Sequence, residues 1–185
     1  MMTEIALNIL DVTENSIRAK ASYIEIDVSA NTAEDTLKIE IRDNGCGMSK
    51  EQAEKVTDPF FTTRTTRKVG LGIPFFKQAA EETGGSFEIV SEEGEGTAVK
   101  AVFGLSHIDR MPLGDVNSTI YTLVVFNEEI DFHYRYAYDE REFVLDTREM
   151  KQILGGLPFR DAEVSEFIKE YLNTNQTEVN AGRIL

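Results

Sequence analysis

With 185 residues, 41% of them apolar, the chain has room for one ordinary domain and a small extension, and enough apolar side chains for a core. Its 19 Lys and Arg stand against 33 Asp and Glu, and the net charge of −14 opposes a sequence-independent grip on phosphate backbones, so no nucleic acid partner is expected. No apolar run reaches the roughly 18 to 20 residues of a membrane span, acidic Glu4 and Asp11 stand where a signal peptide would be basic then apolar, and Cys46 is the single cysteine. The expectation is a soluble, cytoplasmic protein without membrane contact or internal disulfide.

Thr3 is placed to cap a helix that continues to about Lys20. At about 100° per residue, Glu4, Asn8, Asp11, Asn15 and Arg18 share one narrow arc, and Ile5, Ile9, Leu10, Val12 and Ile17 lie on the broad opposite side. A solvent stripe usually carries Lys and Glu. This one carries two asparagines and a mid-helix aspartate, poor helix formers, which points to a use for that face beyond solvation. Two strands follow, Tyr23 to Val28 and Thr36 to Arg42, each alternating apolar and polar residues. They deliver Asp43 to a strand end, where open α/β sheets tend to place ligands.

Asp43-Asn44-Gly45-Cys46-Gly47-Met48 sets a carboxylate ahead of two glycines spaced by one residue. Such a loop can take positive φ and approach a flat ligand closely. An ionised Asp43 only accepts hydrogen bonds, so it suits the exocyclic amine of adenine and repels the carbonyl of guanine, favouring ATP over GTP. Taken alone, Asp-Asn-Gly is also a common turn. Cys46 reads as a small buried hydrophobe rather than a regulatory thiol.

Ser49 caps a short helix with Gln52 in the capping-box position, ending before Asp58-Pro59. From Phe60 to Gly70 no period is usable. Arg64, Arg67 and Lys68 lie there among the hydroxyls of Thr62, Thr63, Thr65 and Thr66, the donors that triphosphate oxygens require, and the stretch reads as a mobile, basic lid. Gly70-Leu71-Gly72 opens a helix through about Thr83 whose free N–H groups and positive end would face the same place. Strands at Ser86 to Ser91 and Thr97 to Phe103 flank a tight glycine-rich turn. Beyond them, the periods predict a helix over 115–126, a strand pair over 130–138 and 143–146, and helices over 147–154 and 161–172. His133 reads as an ordinary strand residue. From Asn173 onward there is little to bury.

In combination, Asp11-x-x-x-Asn15, Asp43-x-Gly45-x-Gly47, Asp58-Pro59-Phe60-Phe61-Thr62-Thr63-Arg64, Gly70-Leu71-Gly72 and Gly94-x-Gly96-Thr97 resemble the GHKL ATPases. That superfamily unites gyrase, a heat-shock chaperone, mismatch-repair ATPases and histidine kinases. The motifs run in the family's order over residues 3 to 104, and the lid is most similar to that of histidine-kinase catalytic domains. The resemblance implies an α+β fold, a two-layer α/β sandwich with a mixed sheet and ATP between helices and lid. It implies an ATPase domain at 1–104 and ends there; the residue periods beyond it predict a small α-β-β-α-α extension at 105–172 of unassigned role, and the composition a flexible tail at 173–185.

The same resemblance implies Mg2+ and ATP as cofactors, with Asn15 as the magnesium ligand and Arg18 on phosphate. Asp43 would read adenine in a loop shaped by Gly45 and Gly47, with Thr97 supporting its water network. Thr62, Thr63, Arg64 and Lys68 of the lid, with Gly70, Leu71 and Gly72, would hold the β- and γ-phosphates, and Asn8, Met48 and Phe61 complete the nucleotide-binding set. Asp11 takes the catalytic position, which is a glutamate in hydrolysing members and an asparagine in many kinases. This departure puts vigorous hydrolysis in doubt.

The functional expectation is a kinase that passes the γ-phosphoryl of ATP to a protein partner. Because no long hairpin precedes Thr3, the chain resembles a stand-alone kinase domain of the anti-sigma-factor type, with homodimerisation open. The alternative is an ATP-dependent switch or weak ATPase that regulates a partner. His107 opens a segment, His107-Ile108-Asp109-Arg110-Met111-Pro112-Leu113, similar to the phosphoacceptor box of histidine kinases, but its acidic residue is displaced by one position. A connector between modules is the favoured reading there, with phosphoacceptor as the alternative.

Overall fold

The computed structural model describes residues 2–58, 60 and 72–185. Strict alternation decides the sheet. In β1 (Tyr23–Asn31) and β2 (Thr36–Asp43), Ile24, Ile26, Val28 and Ala30 and then Leu37, Ile39 and Ile41 are all buried on one face. The same face is continued by Val99, Ala101 and Phe103 of β4 (Gly96–Gly104), which pairs on its outer side with β3 (Ser86–Glu92). On the opposite side of β1 lie β5 (Asp131–Tyr138) and β6 (Arg141–Asp146), contributing Phe132, Tyr134, Tyr136 and Leu145. The order is β3-β4-β2-β1-β5-β6, with β1 and β5 parallel and every other neighbour antiparallel. The fold is therefore α+β with a mixed sheet.

Helices cover the apolar face. At their centre α1 (Ile5–Arg18) packs on β2 and between α3 (Gly72–Glu82) and α4 (Val116–Phe126), while α6 (Ala162–Asn180) lies over β5 and β6. The uncovered face carries ion pairs such as Arg135 with Asp27 at 2.8 Å. Two short helices complete the elements of the described residues, α2 (Lys50–Val56) and α5 (Thr147–Leu154). The capping box at α2 is fully made: the Gln52 N–H donates to Ser49 Oγ, and the Ser49 N–H donates to the Gln52 side chain. No helix among the described residues is long and apolar enough to cross a membrane.

Distant parts of the chain bear on three expectations. Thr3 does not cap α1; Glu4 is the N-cap residue and makes no side-chain cap bond. The first N–H groups of the helix instead donate to carbonyls over a hundred residues away, Ile5 to Pro112 and Ala6 to Leu113, each at 2.9 Å. The boundary expected after residue 104 is no break in the sheet, because β5 runs beside β1 from Tyr23↔Asp131 to Ala30↔Tyr138. Residues 173–185 are not a loose tail: α6 runs to Asn180, whose Nδ2 donates to Tyr136 Oη at 3.2 Å, and the Leu113 N–H donates to the Leu185 carbonyl at 2.9 Å. A tail with few apolar residues is ordered here by polar partners that no local pattern reveals.

Candidate functional site

Where β2 ends and β4 begins beneath α1, the structure leaves a cavity of about 480 Å³. Its walls are Val12, Ile41, Met48, Val56, Ile73 and Val99, and its polar groups are Asn15, Ser16, Arg18, Asp43 and Thr97. That is the chemistry of a slot for a flat apolar body with a few polar edges. Asp43, the last residue of β2, stands in register with Thr97 of β4. Both oxygens of its carboxylate are held: Ser16 Oγ donates to Oδ2 at 2.6 Å and the Gly45 N–H donates to Oδ1 at 2.8 Å. The group is fixed in orientation and keeps lone pairs for a ligand.

Two glycines let the backbone close around that carboxylate. Gly47 sits at φ +66°, and a Cβ there would lie 2.0 Å from the Glu92 carbonyl oxygen. Gly96 sits at φ +133°, and a Cβ there would lie 2.0 Å from the Asp43 carbonyl oxygen. Any side chain would drive the loop and the β3–β4 turn apart. Between Gly45 and Gly47, the Cys46 N–H donates to Ala19 O at 2.8 Å and Cys46 O accepts from the Gly94 N–H at 2.7 Å. Cys46 is exposed and borders the cavity, contrary to the expected burial. Its backbone does the anchoring, which leaves the thiol outside the core.

On α1 the predicted residues separate. Asn15 and Arg18 line the cavity, with Arg18 Nη1 donating to Asn15 Oδ1 at 3.0 Å. Asp11 does not line it but packs against the start of α3: a Cβ on Gly72 would come 2.9 Å from Asp11 Oδ2. Burial, reinforced by Glu14 and opposed by Arg18, raises the Asp11 pKa above the ordinary carboxylate value. Asn8, fully buried, lies outside the cavity lining, and its carboxamide has no hydrogen-bond partner among the described residues. Phe61, Thr62, Thr63, Arg64, Lys68, Gly70 and Leu71, with the rest of the expected lid over 61–71, lie outside the described residues.

His107 is placed elsewhere. It occupies the turn after β4, whose end Gly104 pairs with Thr36, whereas the cavity lies at the Thr97 and Asp43 end of the same ladder. Seven residues of strand separate the two ends, on the order of 24 Å. Within the turn, the Asp109 N–H donates to His107 Nδ1 at 3.2 Å, and Arg110 donates to the carbonyls of Leu105 and Met111. The His107 segment is thus a hydrogen-bonded turn at the far end of the ladder from the cavity. His133 is likewise apart, on β5 at 3.3 Å from Asp146.

Sequence reasoning missed Ser16 and Ser91. Ser16 falls on the packed side of α1 and signals itself only as a hydroxyl one residue after Asn15. Ser91 looks like any polar residue at a strand end. Both matter through partners brought in by the fold.

Comparison with known proteins places this geometry. The family model described as histidine kinase-, DNA gyrase B-, and HSP90-like ATPase matches residues 3–107. A provisionally named sensor protein of Shewanella frigidimarina is 31% identical over 107 residues, which are 57% of this chain and 16% of that protein. The sensor histidine kinase ZraS of Escherichia coli is 30% identical over 96 residues, 52% of this chain and 20% of that one. The chain thus spans a fifth or less of the length of these curated relatives. Among solved structures, the N-terminal domain of a DNA repair protein superposes with a TM-score of 0.57 at 16% identity, covering 78% of this chain and 53% of that one. At this identity the likeness concerns the fold alone. Its share of the chain exceeds that of the family match, so it continues past β4.

Proposed function

This chain belongs to the histidine kinase-, DNA gyrase B- and HSP90-like ATPase family, and from that premise we propose that it binds ATP with Mg2+ beneath α1 and passes the γ-phosphoryl to a side chain of a partner protein. The observation that carries the reading is the Asp43 carboxylate, held by Ser16 and the Gly45 N–H at the edge of a largely apolar cavity of about 480 Å³. An acceptor fixed at the end of an apolar slot suits the amine of adenine.

Toward the phosphates, Asn15 offers a carboxamide oxygen and Arg18 a guanidinium at the cavity wall. An oxygen ligand of this kind fits a hard cation that retains some of its waters, so the residues present fit Mg2+. When bound, that ion neutralises charge on the phosphate oxygens. Arg18 adds a fixed positive charge beside Asn15. Asp11, desolvated against the start of α3 just outside the cavity lining, has a raised affinity for a proton and would be the group to take one from an attacking hydroxyl or imidazole. Kinship with sensor kinases supports transfer to protein rather than to water, and the position of His107 favours an acceptor in a partner.

The test uses γ-labelled ATP, the full chain and a lysate of its source. Label appearing on another protein, and lost with Asp43→Asn, is the expected result. Absence of ATP binding by the folded protein would overturn the site. ATP-dependent capture of a partner without label would replace the kinase by a nucleotide switch.

A further inference from the structure

Behind Thr97, on the side away from the cavity, Ser91 of β3 makes three contacts. Its Oγ accepts the Met48 N–H at 2.8 Å, lies 3.1 Å from the Gly96 carbonyl oxygen and lies 2.8 Å from Thr97 Oγ1. Three segments of the site therefore meet on one hydroxyl: the glycine loop, the β3–β4 turn and the strand that carries Thr97.

Counting protons turns this into a directional device. Ser91 has one O–H and two acceptors for it, Gly96 O and Thr97 Oγ1. If the proton goes to Gly96 O, the 2.8 Å contact requires Thr97 to donate back to Ser91, and Thr97 then shows only lone pairs to the cavity. If Ser91 donates to Thr97, the Thr97 proton is released toward the cavity. Beside it in register, ionised Asp43 is acceptor-only. The edge that complements an acceptor next to a donor is an amine next to an unprotonated ring nitrogen, which adenine presents on both sides of its amine.

We infer that Ser91 is a positioning residue for base selection: by donating to Thr97 it commits Thr97 to donate, directly or through one water, to a ring nitrogen of the adenine whose amine Asp43 accepts. The inference rests on the adenine-nucleotide reading of the cavity. Ser91 itself does not line the cavity, so its effect on the base passes through Thr97.

Calorimetry with ATP, 1-deaza-ATP and 7-deaza-ATP tests this, because each analogue lacks one of the two ring nitrogens flanking the amine. The wild-type protein should bind one of the two analogues about fivefold or more weakly than ATP, the worth of one hydrogen bond. That penalty should vanish in Thr97→Val and shrink in Ser91→Ala, while Ser91→Thr restores it. Ser91→Cys, of similar size but a poor donor, should behave like Ser91→Ala and serves if the alanine variant does not fold. In Ser91→Ala/Thr97→Val the ATP affinity should match that of Thr97→Val alone. Equal weakening of ATP and both analogues by Ser91→Ala would mean that Ser91 only anchors Met48, and would overturn the inference; so would an unchanged Ser91→Ala, or a wild type indifferent to both ring nitrogens. A folded wild type without affinity for ATP would remove the premise and the inference with it.

Discussion

Asp43 concentrates the chemistry of the cavity in one carboxylate with two internal donors, at 2.6 and 2.8 Å. Asp43→Asn places an amide N–H where an acceptor is needed. ATP affinity should fall by about 2 kcal/mol, some thirtyfold, with the circular dichroism unchanged. Asp11 makes a different prediction because its pKa is raised above the reference of 3.8, chiefly by burial. The native state then binds this proton more tightly than the unfolded chain, so stability falls as pH rises from the unfolded value through the raised folded one. Asp11→Asn should therefore melt higher than wild type at neutral pH. The difference should close as the buffer is acidified below about pH 4. Thermal melts across pH that show no such convergence would mean that the Asp11 carboxyl is not desolvated.

At the scale of elements, the glycine loop and the β3–β4 turn interlock, and the two glycines in contact differ from their neighbour. A Cβ on Gly47 meets the Glu92 carbonyl at 2.0 Å, whereas Gly94, also at positive φ (+84°), has nothing within 4 Å of such a Cβ. Gly47→Ala should lower ATP affinity about tenfold or more, since backbone strain of roughly 1–3 kcal/mol must be relieved by moving the loop. Gly94→Ala should leave affinity near wild type and lower only the melting temperature. Equal affinities for the two variants would refute the interlock.

For the molecule as a whole, the parallel β1–β5 ladder and the Pro112 and Leu113 carbonyls on α1 tie both halves of the chain into one sheet and one helix layer. Ending the chain after residue 104 would uncover one side of β1 and leave the first N–H groups of α1 without those acceptors. The fragment 1–104 should fail to unfold cooperatively and should not bind ATP. The full chain should unfold in a single urea transition, identical by fluorescence and circular dichroism, that shifts upward with ATP, by about 2.7 kcal/mol at a hundredfold excess over Kd. Two separate transitions would mark an independent domain boundary near residue 104.

The sequence alone determined the elements and the family. Period-2 runs in β1, β2 and β4, the capping box at Ser49 and Gln52, and the order α4-β5-β6-α5-α6 are local patterns, legible because backbone geometry and burial repeat with fixed periods. Asp43 and its glycines were legible as a local pattern, a carboxylate at a strand end followed by two residues free to take positive φ. The tertiary structure decided whatever depends on a distant partner. The cap of α1 comes from Pro112 and Leu113, the order of the C-terminal turn from Tyr136 and Tyr138, and the carboxylate's orientation from Ser16, 27 residues before it. Asn8, on the same helical arc as Asp11 and Asn15, ended fully buried outside the cavity. A helical period fixes which residues share a face. What packs against each turn of that face is set by which helix or strand the rest of the chain lays there.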